Sequence, residues 1–252
     1  MIELNQVSAG YGNHTVIQDI SLTFEKENLT SIIGPNGCGK STLMKTMLGI
    51  LPLTDGNISV DGKPLEAMNR KEIAKKIAYL SQSKNTPDMT VEQLVLHGRF
   101  PHLDYPRRYT QKDREMAYSA MEQVGITSQA KKSLHTLSGG MRQTAYIAMA
   151  LAQDTDTILL DEPTTYLDIS HQLDVMKTLR TLADQGKCIL AVMHDLPMAF
   201  TFSDEIVLLN QGQVAAKGSP HAISSHSAIE TAFGVSLACR EEENTYAYRY
   251  TL

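Results

Sequence analysis

Between Gly34 and Thr42 the chain reads "GPNGCGKST", with the apolar run "LTSII" before it and the helical pattern "KSTLMKTMLGI" at its end. Eight of these residues match G-x-x-x-x-G-K-[ST] without a mismatch, and they lie where the pattern has mechanical meaning, between a strand and a helix. Glycines at Gly34, Gly37 and Gly39 let consecutive backbone N–H groups turn inward, and the start of a helix adds partial positive charge. Such a loop cradles phosphate oxygens, with Lys40 placed for the β and γ phosphates of a nucleotide and Ser41 for Mg²⁺. Few folds deliver a strand into a helix this way, so the loop fixes an α/β core before anything else is read.

Three more short apolar runs end in a polar group: "IAYLSQ" at Gln82, "TILLDE" at Asp161 and Glu162, and "CILAVMH" at His194. Runs rich in Ile, Leu and Val predict strands buried on both faces of a parallel sheet, with helices such as "SHQLDVMKTLRTLADQG" between them. In such sheets ligands bind at the carboxyl ends of the strands, so the four polar ends define one shared site. Asp161 suits a water-mediated Mg²⁺ ligand, and Glu162 a general base for an attacking water. Residues 2 to 30 and 55 to 65 alternate, with turn signals at "TDGN" and "VDGK", and predict antiparallel strands. Residues 87 to 134 turn helical, with Thr90 and Thr110 as caps and "PHLDYPRRY" as the loop between two helices. The tail from Phe233 predicts a hairpin turning at Glu242 to Asn244.

The fold class is therefore α/β, a P-loop NTPase (RecA-like) core with an antiparallel β subdomain and an inserted α-helical subdomain. The expected boundaries are residues 1–86 for the β subdomain and first part of the core, 87–152 for the helical insertion, and 153–252 for the rest of the core and the hairpin.

A second glycine pair stands at "LSGGMRQ", where Ser138, Gly139 and Gly140 precede another helical pattern. It has the donors and helix start of an anion site but no lysine, which makes it half a phosphate site. Tyr11, between glycines in "AGYGN", is open to two readings: stacking on an adenine ring or packing locally. Cys38, beside Lys40 and a helix start, is expected to have a lowered pKa and to react readily.

Composition removes other classes. The 252 residues carry a formal net charge of −5, which argues against a large nucleic-acid footprint. No apolar stretch approaches the roughly 20 residues needed to cross a bilayer, and the start "MIELNQVSAGYG" lacks signal-peptide features. Cys38, Cys188 and Cys239 form no C-x-x-C pair and read as free thiols in the cytosol.

The order of these motifs resembles the ATP-binding subunits of ABC transporters across nearly the whole chain. The resemblance implies an adenine-side aromatic at Tyr11, a Walker A loop spanning Gly34, Pro35, Asn36, Gly37, Cys38, Gly39, Lys40 and Ser41 with Thr42 after it, and a Q-loop at Gln82. It further implies a signature at Ser138 to Gly140, a Walker B pair at Asp161 and Glu162, a D-loop ending at Asp168 and a switch histidine at His194. Met141 stands where the family often has Gln or Glu. ATP and Mg²⁺ are the implied cofactors, with Ser41, Gln82 and Asp161 around the metal and Glu162, His194, Gln82 and Lys40 in catalysis. A homodimer is implied in which Ser138 and Gly140 of one chain meet the γ-phosphate held by the other, at the cytoplasmic face of the cell membrane. Polytopic permease subunits would dock on the helical subdomain, served by a separate substrate-binding protein. "DEPTTYLDISHQ" and "VEQLVLHGRFPHL" look like importers of ferric siderophores, haem and cobalamin; an ABC importer for another substrate and a soluble cluster-assembly ATPase are the alternatives.

Overall fold

The computed structural model describes all residues except 83–85, 225–226, 243–244 and 252. In chain order the elements are β1 (Ile2–Tyr11), β2 (His14–Phe24), β3 (Asn28–Ile33), α1 (Lys40–Met47), β4 (Leu53–Val60), β5 (Lys63–Pro64), α2 (Arg70–Ala74), β6 (Ile77–Leu80), α3 (Val91–His97), α4 (Gln111–Gln123) and α5 (Gly139–Ala152). They continue as β7 (Thr157–Asp161), α6 (Ile169–Asp184), β8 (Cys188–Val192), α7 (Leu196–Phe202), β9 (Glu205–Asn210), β10 (Gln213–Gly218), α8 (Pro220–Ser224), α9 (Ser227–Phe233), β11 (Ser236–Glu242) and β12 (Thr245–Thr251).

The central sheet has the order β10-β9-β3-β8-β7-β6, parallel throughout except for β10. Its five parallel strands are largely buried on both faces, and their alternation divides two cores. Leu29, Ile33, Ile158, Leu160 and Ile189 face the layer of α5, α6 and α7. Ile32, Leu159, Leu190 and Val192 face α1 and a second, antiparallel sheet of order β2-β1-β4-β5. Apolar burial on this scale, at about 25 cal/mol per Å², is the main force holding the three layers together.

Two sequence expectations shift here. The antiparallel segment ends before Asn28, because Asn28 to Ile33 already pair in parallel with β8 and β9. "TDGN" is not a turn: it lies inside β4, where the register against β1 slips around Asp55 and produces a bulge. "VDGK" is the turn, with Asp61 and Gly62 both left-handed between β4 and β5, as a two-residue hairpin requires. The tail forms the β11-β12 hairpin, and its turn at residues 243–244 lies outside the described residues.

Helices α3, α4 and α5 share a third core of their own, built from Val91, Leu94, Val95, Ala117, Ala120, Met121, Ala145 and Ala148. Thr90 with Gln93 and Thr110 with Asp113 each form a reciprocal capping box, which satisfies two otherwise orphaned N–H groups apiece. The buried Arg99 guanidinium clamps the block, donating from Nε to Asp113 at 3.1 Å and from Nη1 to the Ala152 carbonyl at 2.9 Å. α5 leads through residues 153–156 into β7, and Gln153 in that link donates to the carbonyls of Ala74 at 2.6 Å and Ile77 at 3.1 Å beside β6. Among the described residues no helix is long and apolar enough to cross a membrane.

Candidate functional site

The parallel strands β6, β7, β8 and β3 are neighbours, and their register aligns Leu80 with Leu160, Asp161 with Val192, and Val192 with Ile32. Gln82, Asp161 with Glu162, His194 and the loop from Gly34 therefore leave the same edge of one sheet. The register accounts for their convergence.

At β3 the chain enters the glycine loop and then α1, whose N-cap is Gly39 at φ 109°, without a side-chain cap. A Cβ there would also stand 2.6 Å from Ile17 Cγ2, so glycine is required twice over. By contrast α2 through α7 are all capped by a side chain, from Asn69, Thr90, Thr110, Ser138, Asp168 and Asp195 respectively. The first turn of α1 thus has no side-chain cap among the described residues, which suits an anion-binding helix start. Asn36 and Gly37 are exposed at the rim, while Gly34, Cys38, Gly39, Lys40 and Thr42 are buried and Ser41 is exposed. The Lys40 ammonium donates to the carbonyls of Gly34 at 2.7 Å and Pro35 at 3.0 Å. Tyr11, half exposed, has the Lys45 ammonium 5.9 Å from its ring centroid, which places the ring over the outer face of α1.

Cys38 departs from the expectation. Burial pushes its thiol pKa up, and the Lys40 charge 4.0 Å away only partly offsets this. With 5% of its surface exposed it is a shielded thiol rather than a reactive one.

Asp161 ends β7 and is buried. Burial raises its carboxyl pKa, opposed by a hydrogen bond from Ser41 and reinforced by the neighbouring Glu162 charge. Tyr79 on β6 donates to Oδ2 at 3.4 Å, while Oδ1 has no hydrogen-bond partner among the described residues. A buried carboxylate oxygen without a donor, next to a serine hydroxyl, is the donor set of a hard divalent cation.

Glu162 is held at φ 55°, a left-handed conformation that costs a non-glycine residue of order 1–3 kcal/mol and turns its side chain away from the strand direction. Three groups converge on the carboxylate: His194 Nε2 lies 2.5 Å from Oε1, and Oε2 accepts from Gln82 and, at 3.1 Å, from Thr165. The carboxylate is thereby oriented before any substrate arrives.

The Ser138–Gly140 turn opens α5. Ser138 Oγ accepts from the Met141 N–H at 3.2 Å, which leaves its hydroxyl hydrogen free to donate outward. Gly139 shares a cavity of about 300 Å³ with Gln82, Asp161, Glu162, Thr165 and Arg142, and no residue of Gly34–Thr42 lines it. Arg142, one turn into α5, donates to Thr86 at 2.7 Å and ties this helix to the segment beyond Gln82. Asp168 caps α6 through the His171 N–H. Sequence reasoning missed Thr165, Tyr79, Arg142 and His171. Thr165, three residues past a strained Glu162, and Tyr79, one strand over from Asp161, were within reach of the pattern. Arg142 and His171 act across the fold and left no local signal.

The fold and this edge define a phosphate-loop nucleotide-binding protein with an acidic strand end facing the loop. The ABC transporter family profile matches residues 17–165. Over 232 residues the chain is 42% identical to the ferric enterobactin transport ATP-binding protein FepC of Escherichia coli K12, spanning 91% of this chain and 86% of FepC. It is 40% identical over 236 residues to the iron(3+)-hydroxamate import ATP-binding protein FhuC of Bacillus subtilis, spanning 93% and 88%. Among solved structures, a metal-chelate type ABC transporter in an inward-facing conformation superposes with a TM-score of 0.86 at 26% identity, over 99% of this chain and 96% of that one. The dimeric ABC cassette MJ0796 gives 0.75 at 27%, over 87% and 99%. The chain belongs to the ABC transporter family as an ATP-binding subunit, an ATPase that drives transport.

Proposed function

We propose that two copies of this chain bind two ATP molecules head to tail and power the import of a ferric siderophore, from the cytoplasmic face of the membrane. The observation that carries the hydrolytic part is the Asp161–Glu162 pair: one buried oxygen without a donor beside Ser41, and the adjacent carboxylate fixed by Gln82, Thr165 and His194. Mg²⁺ fits this donor set, with Ser41, Asp161 and Gln82 as its holders, and bound there it would neutralise charge developing on the phosphates. Lys40 would exchange its carbonyl partners for the β and γ phosphates, and the uncapped N–H groups of α1 would complete the cradle. Glu162 would take the proton of the attacking water, and His194 would hold Glu162 in place and contact the γ-phosphate.

Dimerisation completes the site. Gly139, between Ser138 and Gly140, lines a cavity that among the described residues includes none of the chain's own glycine loop; the outward donors of this turn would serve the nucleotide of the second copy. Asp168, exposed beside them, would reach across the same interface.

For coupling, Ile50, Phe100 and Tyr105 are exposed at 61%, 46% and 98% around clefts between α2, α3 and the Pro101–Arg107 loop. Arg107 stacks its guanidinium 4.8 Å from the Phe100 ring centroid and stiffens that wall. An apolar surface of this kind suits a helix of the permease. The substrate class rests on the siderophore importers named above. Deletion of the gene in its host, with uptake of labelled ferric siderophore, haem and cobalamin measured in parallel, tests it. Loss of siderophore uptake alone is expected; unchanged uptake of all three would refute the reading.

A further inference from the structure

His171, in the first turn of α6, touches two elements at once. Its Nδ1 lies 2.8 Å from Asp168 Oδ1, and its backbone N–H donates to the same oxygen at 2.9 Å. A carboxylate only accepts, so Nδ1 carries the proton in this contact. The other edge of the ring lies on Gly140: a Cβ built there would stand 2.0 Å from His171 Cδ2 and 2.8 Å from Nε2. Gly140 is not among the residues with positive φ, so the backbone alone does not call for glycine at this position. The imidazole does, because it fills the space a side chain would need. One residue earlier, a Cβ on Gly139 would meet Leu167 Cδ2 at 3.8 Å, so the segment before Asp168 also packs along the start of α5.

We propose that His171 is a positioning residue whose imidazole locks the Asp168 carboxylate and the Ser138–Gly140 turn into one unit, so that both present themselves together to the second copy of the chain. The inference rests on the head-to-tail dimer proposed above and adds a residue to it. Asp168 has 66% of its side chain exposed, and the imidazole adds a second donor to the backbone N–H that already caps it there. Fixing it in advance removes an ordering cost from association. The α5 turn gains likewise, since the ring adds a packing surface at Gly140 to the Ser138 cap.

Two substitutions divide the roles of the ring. His171→Asn keeps a donor at the Nδ1 position but gives up the face against Gly140; His171→Phe keeps the face and loses the donor. In a Glu162→Gln background, analytical ultracentrifugation with ATP and Mg²⁺ should show His171→Ala weakening the dimer by about tenfold, as for one hydrogen bond to a charged group. His171→Asn and His171→Phe should fall between His171→Ala and the parent. Binding of a fluorescent ATP analogue to the monomeric chain should stay within about twofold, because the ring does not touch Gly34–Thr42. Equal dimerisation with and without the imidazole overturns the proposal, as does a parallel loss of nucleotide binding, which would mark a role in folding only. Should the Glu162→Gln parent itself stay monomeric, the dimer reading falls, and amide exchange in the monomer then decides. His171→Ala should speed exchange at Gly140 to Arg142 and at the first turn of α6, and unchanged exchange there refutes the locking role.

Discussion

Replacing Arg99 by Met removes the clamp of the helical block while keeping a side chain of similar length. Two charge-assisted hydrogen bonds disappear, to Asp113 and to the Ala152 carbonyl, from side chains that are only 6% and 9% exposed in the pair. Removing one partner of a buried ion pair costs about 3–5 kcal/mol, because the other charge stays behind unpaired. Asp113 keeps the Thr110 N–H at 2.9 Å and hydroxyl at 2.7 Å, which places the loss at the lower end, about 3 kcal/mol. For a chain of this size that corresponds to a fall in Tm of about 6–12 °C. Amide exchange mapped along the chain locates it: α3, α4 and α5 should exchange faster, while β3, β7 and β8 hold. Burial pushes the Asp113 pKa up, but Thr110 and Arg99 overcome this and hold it below the usual carboxylate range. The stabilisation is therefore present above about pH 4 and fades as pH falls through the lowered value, so variant and parent should converge in acid. A fall under about 3 °C, or exchange raised evenly over all elements, would refute the clamp.

Asp161→Asn should abolish Mg²⁺-dependent hydrolysis yet raise the Tm of the nucleotide-free protein, since it removes a buried charge whose Oδ1 has no donor. A carboxyl with a raised folded pKa destabilises the fold once pH exceeds its unfolded value, so the advantage of Asn should shrink below about pH 4; an Asn variant that melts lower at pH 7 contradicts this. Glu162→Gln should keep ATP binding and lose about 10²–10⁴-fold in turnover, and near-normal hydrolysis would remove Glu162 from the role of base. In a maleimide titration of the native protein, followed by mass spectrometry, Cys239 should label well before Cys38; prior labelling of Cys38 would show that its burial is not maintained in solution.

Much of this was legible because the chemistry sits at strand ends. A glycine loop after one buried run and carboxylates after another fix both the sheet and the edge on which the ligand binds, and the capping threonines Thr90 and Thr110 mark their helices in four residues each. What the sequence hid depends on distance through space. The pKa of Cys38 follows from burial beneath its own loop, which no local pattern expresses, whereas its neighbours Lys40 and the start of α1 suggested the opposite sign. The bulge at "TDGN" looks like a turn until β1 is set beside it. Likewise, nothing near His171 announces that Gly140, far off in sequence, will lie under its ring.

The central claim is that the Ser138–Gly140 turn serves the nucleotide of a twin molecule. Glu162→Gln protein with ATP and Mg²⁺, run on size exclusion with light scattering and followed by nucleotide analysis, tests it most directly. A species of twice 27.8 kDa carrying one ATP per chain, dissolved by mutating Ser138 without loss of ATP binding to the monomer, is the expected result. A particle that stays at 27.8 kDa with ATP bound and hydrolyses it, in the unsubstituted chain, at a rate per subunit independent of protein concentration would contradict it.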